Sequence, residues 1–254
     1  MDISHKMQVE LFHLIFLRLF NNQVALNLYA IKGGCNLRFF FNSIRYSEDL
    51  DIDVHAIQKN TLKNKVSKIL STPTLLKLTQ GYGINKIEFS TPKQTQTTQR
   101  WKIQLLTQQS QMPLHTKIEF SRRHEQFNSE LSDLSRALCQ LYKLPPTRLS
   151  HYGIHEAITQ KILALANRSF TQSRDIFDLY LLLHIEEVTK TTIPIDTLDK
   201  AINATKSIGF SDYKSQVVSF LEPNEQAIYD DKNYWQTLST QVITYLMRLK
   251  NASS

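Results

Sequence analysis

At 254 residues the chain is long enough for one large or two small domains with a real core, so a globular protein is the starting expectation. Lys and Arg number 30 against 23 Asp and Glu, a formal charge of +7 that is compatible with a polyanion such as RNA or nucleotide phosphates without requiring one. Only Cys35 and Cys139 are present, far apart and in apolar or helical surroundings, which argues against a disulfide framework or a cysteine metal site and fits the reducing cytoplasm.

The first apolar stretch, LFHLIFLRLF, contains His13 and Arg18 and follows Asp2 and Glu10. It is too short for a spanning helix of about 20 apolar residues. Residues 9–21 have helical spacing and are read as a buried helix, with no membrane span anywhere in the chain. LNLYAI at 26–31 then predicts a buried strand ending at Gly33-Gly34, and CNLRFFFNSI a helix. DLDIDVHA predicts a strand, followed by a helix over 61–70 that stops before Pro73. Alternating apolar residues in NKIEFS, WKIQLL and HTKIEFS predict further strands, with the polar STPKQTQTTQ between the first two as an exposed hairpin loop.

From residue 129 onward the apolar period is helical, and LSDLSRALCQLY, HEAITQKILALANR, RDIFDLYLLLHI, TLDKAINAT, YKSQVVSFL and NYWQTLSTQVITYLMRL are all read as helices. Pro145-Pro146 offers a break between a mixed half, residues 1–144, and a helical half, residues 145–254. There is no internal repeat.

RYSEDLDID carries the chemistry. In a strand, Asp49, Asp51 and Asp53 share one face while Leu50, Ile52 and Val54 share the other. Successive like-facing residues are about 6.5–7 Å apart at Cα, close enough for two carboxylates to reach common divalent ions. Paired ions of that kind can clamp the attacking and leaving oxygens of a phosphoryl displacement, and hard oxygen donors favour Mg²⁺ or Mn²⁺ over zinc. A solvated acidic strand face is the plain alternative, but Asp is depleted in strands and facing like charges repel, which favours a functional reading with Asp49 and Asp51 as the ligands.

Upstream, KGGCNLRFF at 32–40 places a glycine pair at the start of a helix, where backbone N–H groups and the dipole favour a phosphate. A simple turn would use the same glycines. With Ser47 and the aspartate strand close behind, the segment reads as a phosphate cradle beside a metal site.

KGGCNLRFFFNSIRYSEDLDID resembles the first motif of the AbiEii/AbiGii toxin family of nucleotidyltransferases, the toxins of type IV toxin–antitoxin systems. HEAITQKILALANRSFTQSRDIFDLYLLL at 155–183 resembles the family's later motifs, and with KIEFS at 117–121 the likeness covers residues 26–183 in spaced blocks. The resemblance implies an α+β fold: a nucleotidyltransferase-like mixed sheet with flanking helices, followed by a C-terminal helical bundle. It implies that Gly33, Gly34 and Ser47 help hold a nucleoside triphosphate, with Lys32 and Arg174 beside them. Asp49 and Asp51 would bind metal, and Lys161 and Asp175 would match the downstream catalytic lysine and aspartate, carried into the cleft by the helical half. Where the commoner pattern has a small hydroxyl residue after the glycines, this chain has Cys35.

Other readings of the same residues stand beside the resemblance. Lys161, between Ile158, Ile162 and Leu165, suits a phosphate-binding cation or a snorkelling surface lysine. Asp175 suits helix capping as well as catalysis, and Asp178 is spaced for an ion pair with Arg174. Glu119 faces with Lys117 and Ser121 and is a further metal ligand or an edge-strand charge. Arg122 and Arg123 suit phosphate, RNA or a solvated turn. His151 and His155 lack an HExxH context and a third ligand.

The expected reaction is Mg²⁺-dependent transfer of a nucleoside monophosphate from an NTP to an acceptor hydroxyl, with the tRNA 3′ end, growth inhibition and a repressor-type antitoxin partner implied by the resemblance. Nucleotidylation of a protein or small molecule, or nucleotide binding without turnover, are the alternatives.

Overall fold

The computed structural model describes residues 3–122, 127–185 and 193–252, in two compact units: Met1–Phe40 with Tyr46–Tyr152, and Phe41–Arg45 with Gly153–Ser254. The first unit holds α1 (His5–Asn21), β1 (Tyr29–Lys32), α2 (Gly33–Phe40), β2 (Asp49–Val54), α3 (Lys59–Leu70), α4 (Pro73–Gln80), β3 (Ile84–Gln94), β4 (Thr98–Thr107), β5 (Leu114–Ser121), β6 (Glu130–Asp133), α5 (Arg136–Leu141) and β7 (Arg148–His151).

The strands form one mixed sheet in the order β3-β4-β5-β2-β1-β7-β6. β2 runs antiparallel to β1 and parallel to β5, and this register sets Lys32, Asp51, Glu119 and Arg100 in one row across four strands. The next row sets Asp49 beside Lys117, with Lys102 beyond it on β4.

Period-2 alternation explains why the sheet is dry on one face. Leu50, Ile52, Ile118, Phe120, Trp101 and Ile103 are buried in one core with Phe12, Phe16 and Phe20 of α1 and Leu62 and Val66 of α3. Each fully buried large side chain contributes about 1.5–3 kcal/mol. The first apolar stretch is accordingly a core helix, and among the described residues no helix is long and apolar enough to cross a membrane.

The second unit comprises α6 (Ile154–Asn167), α7 (Ser173–Leu183), α8 (Ile195–Ser207), α9 (Phe210–Gln216), α10 (Pro223–Tyr229) and α11 (Lys232–Ala252). Ile158, Ile162, Phe177, Leu182, Leu198 and Leu246 are buried, and Tyr213 stacks on Trp235 at 4.7 Å between ring centroids. The architecture is the mixed sheet with a helical C-terminal part that the sequence led us to expect.

Several boundaries differ, each for a local reason. LNLYAI opens with a 3-10 turn, Leu26–Leu28, before β1 begins. STPKQTQTTQ is mostly strand: β3 and β4 pair out to Gln94 and Gln99, and Thr95 N–H closes the turn on the Thr98 carbonyl at 2.9 Å. LSDLSRALCQLY is split, because Glu130–Asp133 pairs with β7 as an edge strand before α5 starts. The change to a purely helical chain comes at Tyr152-Gly153 rather than at Pro145-Pro146, since β7, after the prolines, still pairs with β1 and β6. Pro73 ends one helix and opens α4, and Pro223 opens α10; proline suits a first helical turn, where its missing N–H costs nothing.

Candidate active site

The glycine turn and the aspartate strand meet in the first unit. β1 ends at Lys32, and Gly33 turns the chain into α2 with φ +68°, a left-handed conformation that other residues adopt at a cost. A Cβ on Gly33 would lie 3.2 Å from Asp51 Oδ2. Gly33 therefore supplies both the turn and the space into which the Asp51 carboxylate leans. Gly34 stands in the first turn of α2, whose leading N–H groups have no partner within the helix.

The start of β2 is held from behind. The Asp49 carbonyl accepts from Ser47 Oγ at 2.9 Å and from Cys35 Sγ at 3.2 Å. Thr116 Oγ1 donates to the Glu48 carbonyl at 2.6 Å and lies 2.7 Å from His13 Nε2. Ser47 thus serves the backbone of Asp49, and Cys35, where a hydroxyl is commoner, makes a thiol contact to the same carbonyl.

On the polar face three carboxylates have cations of their own. Asp49 Oδ2 meets Lys117 Nζ at 2.6 Å, Glu119 Oε2 meets Arg100 Nε at 2.6 Å, and Asp53 binds Lys32 Nζ at 2.5 Å and the Tyr152 hydroxyl at 2.7 Å. The Asp51 carboxylate has no hydrogen bond or ion pair among the described residues. Burial raises its pKa, and the neighbouring charges of Asp49 and Glu119 add to this against the opposing pull of Lys117 and Lys32.

A carboxylate left short of positive charge, beside a second one on the same strand face, suits a hard divalent cation. Asp49 and Asp51 fit that role. Glu119 stands in the same row as Asp51 but is turned to Arg100, and among the described residues no three His, Cys, Asp or Glu side chains already converge on one point.

The downstream motif forms a charged knot inside the helical unit. Lys161 is only 8% exposed and its Nζ lies 3.1 Å from Asp175 Oδ1 and 2.7 Å from Asp178 Oδ2. Asp175 also binds Arg168 at 2.7 Å. Asp178 binds Arg45 through both oxygens at 3.1 and 2.8 Å, not Arg174, which donates to Gln172 at 2.7 Å. Burial would raise the Asp178 pKa, but Arg45 and Lys161 outweigh it and hold the group at about 2. The knot is missed at sequence level because Arg45 is 133 residues from its partner. Arg122 is likewise engaged, with the Ile57 carbonyl at 3.1 Å and with Gln99 Oε1; Arg123 lies outside the described residues. His151 is buried in the first unit, stacked on Phe40 and bound to Asn36.

Lys117 and Arg100 carry no distinguishing signal in the sequence. In sequence they read as polar positions of half-buried strands; only the register shows that each faces a carboxylate across a strand boundary.

Two outcomes follow from this geometry. Gly33→Ala is expected to cost about 1–2 kcal/mol in urea denaturation from its left-handed backbone alone, and to displace Asp51, so that activity falls by more than stability does. Asp178→Asn removes the carboxylate that Arg45 binds through both oxygens and one of the two that Lys161 binds, and is expected to cost about 3–5 kcal/mol at pH 7. Because the folded pKa lies below the unfolded value of about 3.9, the stability carried by the carboxylate is complete above that pH and is lost as pH falls towards 2. Denaturation across that window should show the gap between wild type and Asp178→Asn closing.

The sequence matches the family model described as nucleotidyl transferase AbiEii toxin, type IV toxin–antitoxin system, over residues 15–236. No curated protein matches the chain. Among solved structures, JHP933 from Helicobacter pylori superposes with a TM-score of 0.58 at 18% identity, covering 100% of this chain and 98% of that one. A putative nucleotidyltransferase from H. pylori gives 0.60 at 19%, covering 97% and 98%. MenT4, a nucleotidyltransferase toxin from Mycobacterium tuberculosis, gives 0.62 at 16%, covering 96% and 84%. At such identities these structures speak for the fold, while the family match spans most of the sequence. The chain belongs to the AbiEii family of type IV toxin–antitoxin systems and is a nucleotidyltransferase.

Proposed function

We propose that the protein transfers a nucleoside monophosphate from an NTP to the 3′ hydroxyl of tRNA, with Mg²⁺ or Mn²⁺ held by Asp49 and Asp51, and that this transfer arrests growth unless an antitoxin intervenes. The observation that carries the reading is the Asp51 carboxylate, short of positive charge and leaning into the space left by Gly33. A divalent ion bound there supplies charge neutralisation at the α-phosphate.

The chain's own groups do the rest. Gly33 and Gly34 let the backbone approach the phosphates, with the first N–H groups of α2 as donors. Ser47 and Cys35 fix the Asp49 backbone so that its carboxylate is preorganised. From the helical unit we assign Lys161 and Asp175 to the reaction and Arg174 to the nucleotide. Support for Lys161 and Asp175 lies in the charged knot that holds them, since buried charge networks are weak sources of net stability and invite another use. Glu119 is kept as a third donor should Arg100 release it.

An RNA acceptor draws support from where the charge sits. Residues 55–87 contain six lysines and neither Asp nor Glu, against a formal charge of +7 for the whole chain. Lys63, Lys68 and Lys77, on α3 and α4, are exposed. A polyanion with a long backbone suits such a surface; a small-molecule acceptor has no need of it.

Two experiments test this reading. Label from each α-³²P-NTP, supplied with Mg²⁺ to total RNA and total protein, is expected in a tRNA-sized band and to vanish with Asp49→Ala; label in protein bands would overturn the tRNA assignment. Binding of tRNA is expected to weaken steeply with salt, and neutralising Lys63, Lys68 and Lys77 together should reduce the slope of log K against log salt by about 2–3 if all three meet phosphates. An unchanged slope would place the RNA elsewhere.

A further inference from the structure

We propose that Lys117 is a resident counter-ion of the Asp49 and Asp51 pair, which a divalent metal displaces and which then faces the phosphates of the nucleotide. This rests on the reading of Asp49 and Asp51 as the metal-binding pair. Lys117 and Asp49 are register partners on parallel strands, and the ammonium lies 2.6 Å from Asp49 Oδ2. Among the described residues Asp49 is its one acceptor.

The contrast with the pair next door shows that this contact is built to exchange. Lys32 and Asp53 are also close, but the Asp53 side chain is 5% exposed and Tyr152 holds its second oxygen, so that pair is fixed. The side chains of Lys117 and Asp49 are 33% and 24% exposed, and nothing further pins either head group. Exposed pairs of this kind are weak and open readily to solvent ions. Lys102 stands opposite Lys117 on β4, so like-charge repulsion tips the ammonium towards β2.

Charge matching drives the exchange. The Lys117 ammonium brings one positive charge and pairs directly with Asp49 alone, whereas a dication satisfies both carboxylates at once. Once released, the ammonium stays on the same sheet face at the end of a flexible four-carbon stem, with three donors to offer an anion. Lys117 is thus a positioning residue in the free protein and a phosphate contact in the loaded one.

Binding of Mn²⁺ to the free protein, followed by electron paramagnetic resonance at pH 8 and low salt, tests the exchange without turnover. Wild type should bind and Asp49→Ala should not. Lys117→Met, and Lys117→Gln as a second variant, should bind Mn²⁺ about threefold or more tighter than wild type, because the internal competitor is gone. At saturating metal the same variants should show a raised KM for NTP with a smaller change in kcat, and Lys117→Arg should restore it. Unchanged or weaker Mn²⁺ binding in both lysine variants overturns the counter-ion proposal while leaving the metal pair in place. Equal binding by wild type and Asp49→Ala, or none by wild type, overturns the metal pair and this proposal with it.

Discussion

The carboxylate of Asp51 against the missing side chain of Gly33 is the constraint on which the rest of the site depends. A left-handed glycine at the end of β1 turns the chain into α2 within one residue, which brings the helix N-terminus to the strand that carries the aspartates. The same absent Cβ makes room for Asp51. The free N–H groups of a helix start and an acidic pair are therefore products of one local geometry, and the strand's apolar alternate residues, Leu50 and Ile52, anchor that geometry in the core. A substitution that filled the space would disturb turn, helix start and carboxylate together.

Charge is handled in opposite ways by the two units. On the sheet face, pairs such as Lys117 with Asp49 are partly solvated and cheap to open. Inside the helical unit, Asp175 and Asp178 are fully buried and their charge is shared among Lys161, Arg168 and Arg45. Removing one member there leaves an uncompensated buried ion, so the knot tolerates little change. Arg45 draws the short segment Phe41–Arg45 into the helical unit although the chain on both sides of it belongs to the sheet unit. The chain thus crosses between its units three times, and the first two crossings flank the loop that leads from the glycine turn to the aspartate strand.

What the sequence made legible was whatever repeats along the chain. Alternation in DLDIDV and the helical period of α6, α7 and α11 survive intact because local pattern and tertiary burial agree there. What failed was decided by partners distant in sequence. ELSD has no strand pattern and becomes β6 only because β7 offers a ladder, and β7 itself is four residues long after a pair of prolines. The polar Gln/Thr segment extends the β3 and β4 hairpin for the same reason. In the candidate site, Asp49, Asp51 and Gly33 stand out by spacing alone, but the cations that pair with Asp49 and Glu119 do not, since Lys117 and Arg100 gain their meaning from register.

The buried contacts behind β2 show how a departure from the commoner motif is absorbed. Thr116 spends its single hydroxyl proton on the Glu48 carbonyl, so it can only accept from His13, which fixes the proton on Nε2. The other nitrogen, Nδ1, is then an acceptor, 3.6 Å from the Cys35 sulfur. Burial lowers the His13 pKa to about 3 and pushes the Cys35 thiol up, so both groups stay neutral. The protonated thiol has one proton and two acceptors in reach, and it donates to the Asp49 carbonyl at 3.2 Å, the nearer of the two, leaving Nδ1 as a longer polar neighbour of the sulfur. Cys35 can therefore stand where a hydroxyl is commoner, because His13 and Thr116 supply a neutral, fully determined frame in which either group could hold the first aspartate in place.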